Sequence, residues 1–173
     1  VVSSPPSGST FPLGVTLVTF TATDAAGNSS VAYIDVTVTD TTAPAFTGLP
    51  ATITQEATGP TGAVVTFSPP TATDLVDGVR PVTAAPASGS TFPLGTTTVT
   101  FSATDLSGNS ASTTFTVTVV DTTPPVIAGV PANIIQEATG PTGAVVNYTM
   151  PTATDLVTAP ITVTTSHPSG STF

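Results

Sequence analysis

The chain has no cysteine, no tryptophan and no lysine, and Arg80 is its only Lys or Arg. Without cysteine there are no disulfides, no thiolate catalysis and no Cys-based zinc sites. That absence assigns no compartment, but stability outside the cell must then come from another source. Without lysine, Schiff-base chemistry and Lys–Asn isopeptide links are excluded. One cation against ten Asp and Glu leaves a net charge of −9. Such a balance argues against nucleic-acid binding through phosphate contacts and against docking on anionic membranes. His167 is the sole histidine; with no second His and no Cys it is a poor metal or catalytic candidate, and no Ser–His–Asp set can be inferred around it. No apolar run reaches the 18 or so residues of a membrane span, and Val1 opens no signal-peptide pattern. Charged residues of both signs make up only 6%, against about a quarter in ordinary globular domains.

What fills the chain instead is repetition. Ser7-Gly8-Ser9-Thr10-Phe11-Pro12-Leu13-Gly14 returns 81 residues later as Ser88 through Gly95 and starts again at Ser169. Gln55 through Val65 returns unchanged as Gln136 through Val146, at the same offset. A fixed period of this length predicts tandem copies of one small domain, each meeting mainly its neighbours. The segments Asp40-Thr41-Thr42-Ala43-Pro44 and Asp121-Thr122-Thr123-Pro124-Pro125 end the copies as short, stiff linkers, because proline fixes φ and removes a backbone donor. The expected organisation is the later part of a repeat at 1–41, a complete repeat at 42–122 and the earlier part of a third at 123–173. Beginning and ending in mid-repeat, the chain reads as a mature product or as a window on a longer one.

The pattern within each copy is β. Val99, Phe101 and Ala103 alternate with Thr98, Thr100 and Ser102, and Phe115, Val117 and Val119 alternate with Thr114, Thr116 and Thr118. Period two marks half-buried strands, and β-branched Thr suits their outer faces. The first copy repeats the pattern at Val18, Phe20, Ala22 and at Ile34, Val36, Val38. Asp24 through Asn28 and Asp105 through Asn109 supply the Gly and Asn of hairpin turns. Further strands are expected over Ala63–Ser68, near Thr52–Gln55 and over Val79–Ala84, and Pro and Gly interrupt every helical candidate. The predicted fold is all-β: tandem immunoglobulin-like antiparallel β-sandwich repeats of 81 residues, with Phe67, Val99, Phe101, Phe115 and Val117 in the core.

Five pieces in order carry a resemblance to a known family. They are Asp121 through Ile127, Pro70-Thr71-Ala72-Thr73-Asp74, Gly89 through Gly95, the Ala103-Thr104-Asp105-x-x-Gly108-Asn109 hairpin, and Phe115 through Val119. Together they resemble the hyalin repeat (HYR) family over essentially the whole chain. The resemblance implies an immunoglobulin-like fold, an extracellular or cell-surface location, adhesion or matrix roles and no catalysis. The chain departs from many members in having no Cys, so any family disulfide is absent.

The acids recur in phase. Asp40 and Asp121 end the last strands, Asp74 and Asp155 follow Pro-Thr-Ala-Thr, and Asp24 and Asp105 open the late hairpins. In a sandwich of this type the loop between the second and third strands and the last hairpin lie where the chain enters, beside the end of the preceding copy. Asp40, Asp74 and Asp105, with Asp77 or Asn109 nearby, are thus placed to converge at one junction, and Asp121 and Asp155 to form half of the next. Hard oxygen ligands in such a set suit Ca²⁺. The plainer and commoner role is turn capping, since Asp bonds nearby backbone amides without any metal. Glu56 and Glu137 stand one period apart, which places them in equivalent loops of different copies. They read as solvated or capping carboxylates rather than a glycosidase pair. Asn28-Ser29-Ser30 and Asn147-Tyr148-Thr149 match the N-glycosylation pattern. Thr-rich faces suit O-glycans or, more simply, a Thr ladder on the sheet.

Two functions of different class follow. The first is a structural repeat protein: a rod, surface filament or adhesin stalk whose partners are copies of itself end to end or further repeats in one chain. Residues 1–41 carry the later strands and 123–173 the earlier ones, together exceeding one period by 11 residues. Head-to-tail copies are able to complete one sandwich between them; the competing expectation, slightly favoured by that overlap, is a longer covalent array. The second is a binding module that recognises a glycan or a cell-surface protein through its loops. The loops are nearly alike in each copy and poor in Trp, Tyr and Arg, and the most divergent stretch, Leu75–Ala87 against Leu156–Pro168, is where such a site is expected.

Overall fold

The computed structural model describes residues 1–173 and contains strands and no helix. In chain order the strands are β1 (Val2–Ser4), β2 (Gly14–Thr23), β3 (Ser29–Val38), β4 (Ala45–Thr47), β5 (Ile53–Glu56), β6 (Ala63–Val64), β7 (Thr71–Asp74), β8 (Gly78–Arg80), β9 (Thr83–Ala85), β10 (Thr91–Phe92), β11 (Gly95–Thr104), β12 (Ser110–Val120), β13 (Val126–Ala128), β14 (Val145–Val146), β15 (Thr152–Thr154) and β16 (Ser171–Thr172). The fold class is the all-β, immunoglobulin-like one that the period-two pattern predicts.

By packing the chain forms two compact units, and β11 and β12 run through both. The first comprises Val1–Gly48, Pro70–Thr83 and Phe101–Thr113. It holds an antiparallel sheet in the order β1-β2-β3 and another in the order β4-β7-β8. The β2–β3 register pairs Val18 with Ile34 and Phe20 with Ala32, so both strands place their apolar residues on one side. Val18, Ala72, Phe101 and Ala103 are buried here, and so are Asp74 and Asp105.

The second unit comprises Leu49–Pro69, Ala84–Thr100 and Thr114–Phe173. Its core is Phe92, Val99, Val117 and Val119, all fully buried. Phe67 lies edge-on to Phe115 at 4.9 Å and to Phe92 at 6.4 Å between ring centroids, the arrangement that ring quadrupoles favour. Strand β5 joins β12 in parallel, Ile53 opposite Val117 through Glu56 opposite Val120. Pairs β10–β6, β13–β15 and β14–β16 are antiparallel. The outer faces carry the expected hydroxyl ladder, with Thr96 to Thr118 at 3.1 Å and Thr52 to Thr116 at 3.2 Å.

Two strand boundaries differ from expectation, each for a local reason. The strand expected over Ala63–Ser68 keeps its ladder only at Ala63–Val64. Beyond Val65 the backbone of Phe67 donates to and accepts from the Ser88 hydroxyl, at 2.8 and 2.7 Å, in place of a main-chain partner. The strand expected over Val79–Ala84 is divided into β8 and β9 with Pro81 between them, where proline has no N–H to give a ladder.

Candidate metal centre

Asp40, Asp74, Asp77 and Asp105 come together in the first unit, offering one carboxylate oxygen each, all within 4.8 Å of one another. Each arrives for a sequence-local reason. Asp74 ends β7, where its Oδ1 accepts the backbone N–H groups of Val76 at 2.8 Å and Asp77 at 2.9 Å. That turn bends the chain and delivers Asp77 to the same place. Asp105 opens the β11–β12 hairpin, whose Gly108 sits at φ +93°, a conformation glycine adopts without steric cost. Asp40 follows β3, and its Oδ1 accepts the Thr42 N–H at 3.1 Å.

Further bonds tie the set together. Asp77 Oδ2 accepts the Leu106 N–H at 2.6 Å. The Asn109 amide donates to Asp105 Oδ2 at 2.7 Å and to the Asp40 carbonyl at 3.1 Å. Asn109 is thus a brace that holds two acids in register. Burial pushes the Asp105 carboxyl up, but the Asn109 side chain, the Asn109 N–H and the Gly108 and Ser107 amides outweigh it and hold it below the usual Asp value.

Two oxygens remain over. Asp74 is 3% exposed, and its Oδ2 is buried without a hydrogen-bond partner, as is Asp40 Oδ2. A buried, unsatisfied carboxylate oxygen is costly, and four carboxylates at this spacing repel. A hard divalent cation coordinated by these oxygens offsets both costs, and the all-oxygen donor set is the kind Ca²⁺ takes. Turn capping accounts for one oxygen of Asp74; it leaves the other unexplained.

The acids expected at the next junction are arranged less completely. Asp155 Oδ1 accepts the N–H groups of Val157 at 2.8 Å and Thr158 at 2.7 Å, repeating the turn at Asp74. Thr158 stands where Asp77 stands one period earlier, and its hydroxyl donates to Asp121 Oδ2 at 3.3 Å. Asp121 Oδ1 is buried and unpartnered. Asp24, the first-copy counterpart of Asp105, is exposed and bonded only within its own turn.

Other candidates fall elsewhere. Glu56 accepts from the Thr122 N–H at 2.8 Å, the Thr122 hydroxyl at 2.9 Å and the Thr123 hydroxyl at 3.1 Å. It is the anchor of the second linker, a role signalled in the sequence only by the shared offset of Gln-Glu-Ala-Thr-Gly and Asp-Thr-Thr. Glu137 is exposed. The His167 carbonyl receives the Tyr148 hydroxyl and its ring lies 5.1 Å from that of Phe173. Of the two glycosylation-pattern residues, Asn28 gives its side-chain amide to Asp24 at 2.9 Å and Asn147 is exposed.

The HYR domain model matches three times, at residues 1–38, 39–119 and 120–173. Hyalin of Strongylocentrotus purpuratus is 43% identical over 155 residues, covering 86% of this chain and 13% of that protein. Hyalin of Lytechinus variegatus is 39% identical over 173 residues, covering 96% of this chain and 33% of that protein. The chain therefore spans a third or less of the curated relatives it matches. No helix in it is long and apolar enough to cross a membrane.

Proposed function

Because the chain belongs to the HYR domain family, we propose that it is an extracellular structural repeat protein of the adhesion type, acting as a rod, surface filament or adhesin stalk and not as an enzyme. Its partners in this reading are further repeats, in one longer chain or in copies placed end to end. A Ca²⁺ ion held by Asp40, Asp74, Asp77 and Asp105 stiffens the linker from Asp40 to Pro44. The single observation that carries the cation is the buried, unpartnered Oδ2 of Asp74 on a carboxyl group clustered with three others. Linkage supplies the mechanism: an ion that binds the folded chain and not the unfolded one stabilises the folded chain. Because Asp40 belongs to the linker and Asp74, Asp77 and Asp105 to the loops beyond it, one ion restrains both.

Isothermal titration with CaCl₂ tests this. Saturable binding with a dissociation constant of about 10⁻⁴–10⁻³ M is expected, the range of extracellular modules, and it should weaken at least tenfold in Asp74→Asn. Heat no different from dilution in the unsubstituted chain would sink the cation reading.

A further inference from the structure

Of the four asparagines in the chain, Asn28 and Asn147 have a Ser or Thr two residues on, the pattern of an N-glycan acceptor. The structure treats the two in opposite ways. Asn28 is consumed by the β2–β3 hairpin. Its side-chain amide donates to Asp24 Oδ2 at 2.9 Å, its N–H donates to Asp24 Oδ1 at 2.8 Å, and its carbonyl accepts the Asp24 N–H at 2.9 Å. The Ser29 hydroxyl is bonded to that of Thr23 at 2.8 Å, and Ser30 lies in the ladder opposite Ala22. One period later Asn109 fills the same turn and also reaches the Asp40 carbonyl; there Ala111 breaks the pattern.

Asn147 directly follows β14, and residues 147–151 belong to no strand or turn. Tyr148 is held: its N–H donates to the Ser169 hydroxyl at 2.9 Å and its own hydroxyl donates to the His167 carbonyl. Alternate residues of an extended segment face opposite sides, and Asn147 and Thr149 are both exposed. The openness belongs to the position itself. One period earlier, inside the complete copy, Thr66 and Ser68 are exposed in the same way. Phe67 between them makes the same bond to Ser88 and turns its ring to Phe115 and Phe92. Asn147 also stands between two exposed apolar side chains, Val145 at 54% and Met150 at 39%. In a chain with only 6% charged residues, few groups hold water there, and a glycan is a bulky, solubilising cover.

We propose that Asn147 is an N-glycan acceptor and that Asn28 is not. The proposal rests on the extracellular reading, since the sugar donor, an oligosaccharide carried on a lipid diphosphate, is met on the secretory route. In the transfer the Asn147 Nδ2 bonds to the anomeric carbon of the donor. The bond from that carbon to the diphosphate oxygen breaks, Nδ2 gives up one proton, and the lipid diphosphate leaves. Thr149 supplies the hydroxyl by which the acceptor segment is recognised. The glycan projects from the outer side of the segment, opposite Tyr148, and covers Val145 and Met150.

The test is the intact mass of the whole chain secreted from insect cells behind a cleavable leader, before and after peptide-N-glycosidase. One enzyme-removable glycan per chain is expected, with Asp replacing Asn147 in the released peptide. Asn147→Thr, which installs the residue the complete copy carries at this place, should abolish the glycan. Thr149→Ala, which keeps the acceptor, should abolish it as well, and Asn28→Gln should leave it unchanged. The melting temperature of each secreted variant, read on deglycosylated material, separates loss of the acceptor from loss of the fold. A secreted chain without glycan overturns the proposal, and so does a glycan that persists in Asn147→Thr or one carried on Asn28. Because the leader imposes secretion, an unglycosylated product removes this site and leaves the extracellular reading standing. A glycosylated chain that fails to bind calcium removes the cation alone.

Discussion

Glu56 shows how one side chain ties a linker to a sheet. Its carboxylate receives the Thr122 N–H, the Thr122 hydroxyl and the Thr123 hydroxyl. Of these, the Thr122 backbone bond is the chief cause holding its pKa below the usual Glu value of 4.5, followed by the two hydroxyls, with desolvation opposing them. The sign follows from linkage. A folded-state pKa below the unfolded one means that the charged form is favoured by folding. That contribution is fully present above the unfolded value and is lost as pH falls through the folded one. Glu56→Gln should therefore lower the melting temperature at neutral pH, and the gap to the unsubstituted chain should close as pH falls below about 4.5. A gap that is constant from pH 7 to pH 3 would mean that the bonds do not depend on the charge. The role was not legible from Glu56 itself, because a loop carboxylate has the same sequence signature whether it is solvated or capping. The partners lie 66 and 67 residues away.

At the scale of the element, the parts written locally in the sequence are the parts that were legible. The β2–β3 and β11–β12 hairpins follow from alternation and an Asp-x-x-Gly-Asn turn, and the structure pairs Gly14 with Val38 through Thr23 with Ser29 without a slip. The convergence of Asp40, Asp74 and Asp105 follows from the same local marks combined with the known order of sandwich strands. The brace by Asn109 and the side-chain pairing by Ser88 do not, since each depends on a partner far along the chain that only the folded register chooses. The β6–β10 pair illustrates the constraint most sharply. Gly62 sits at φ +107°, and a Cβ there would lie 1.8 Å from the Phe92 carbonyl oxygen, well inside van der Waals distance. Gly143 is held in the same way, with the Phe173 carbonyl oxygen at 1.5 Å. The conformation alone costs a non-glycine residue about 1–3 kcal/mol, and the backbone clash adds to it. Gly62→Ala should accordingly destabilise the chain by at least about 2 kcal/mol in urea unfolding. A change below about 0.5 kcal/mol, the size of an ordinary surface substitution, would show that β6 and β10 separate at little cost.

For the whole molecule, the governing quantity is a net charge of −9 with a single Arg. Self-repulsion of this kind opposes the compact state, and two different agents relieve it. Monovalent salt screens exposed carboxylates over a distance of about 10 Å at 0.1 M, shrinking to about 3 Å at 1 M. It acts gradually and on every acid. Screening is much weaker for the Asp40, Asp74, Asp77 and Asp105 set, whose oxygens lie within 4.8 Å of one another and include buried ones. A coordinated Ca²⁺ acts on that set alone and saturates. At a tenfold excess over its dissociation constant, one ion stabilises by about 1.4 kcal/mol, equivalent to about 3–6 °C in a chain of this size. Melting curves should therefore rise smoothly with NaCl. In 0.5 M NaCl they should still rise by a further step of that size over the millimolar range of CaCl₂, with MgCl₂ giving less because it demands a tighter octahedral cage. If high salt abolishes the step, calcium acts only as general ionic strength and the four acids are turn caps. If the step survives and disappears in Asp74→Asn, the cysteine-free chain takes part of its stability from a bound ion.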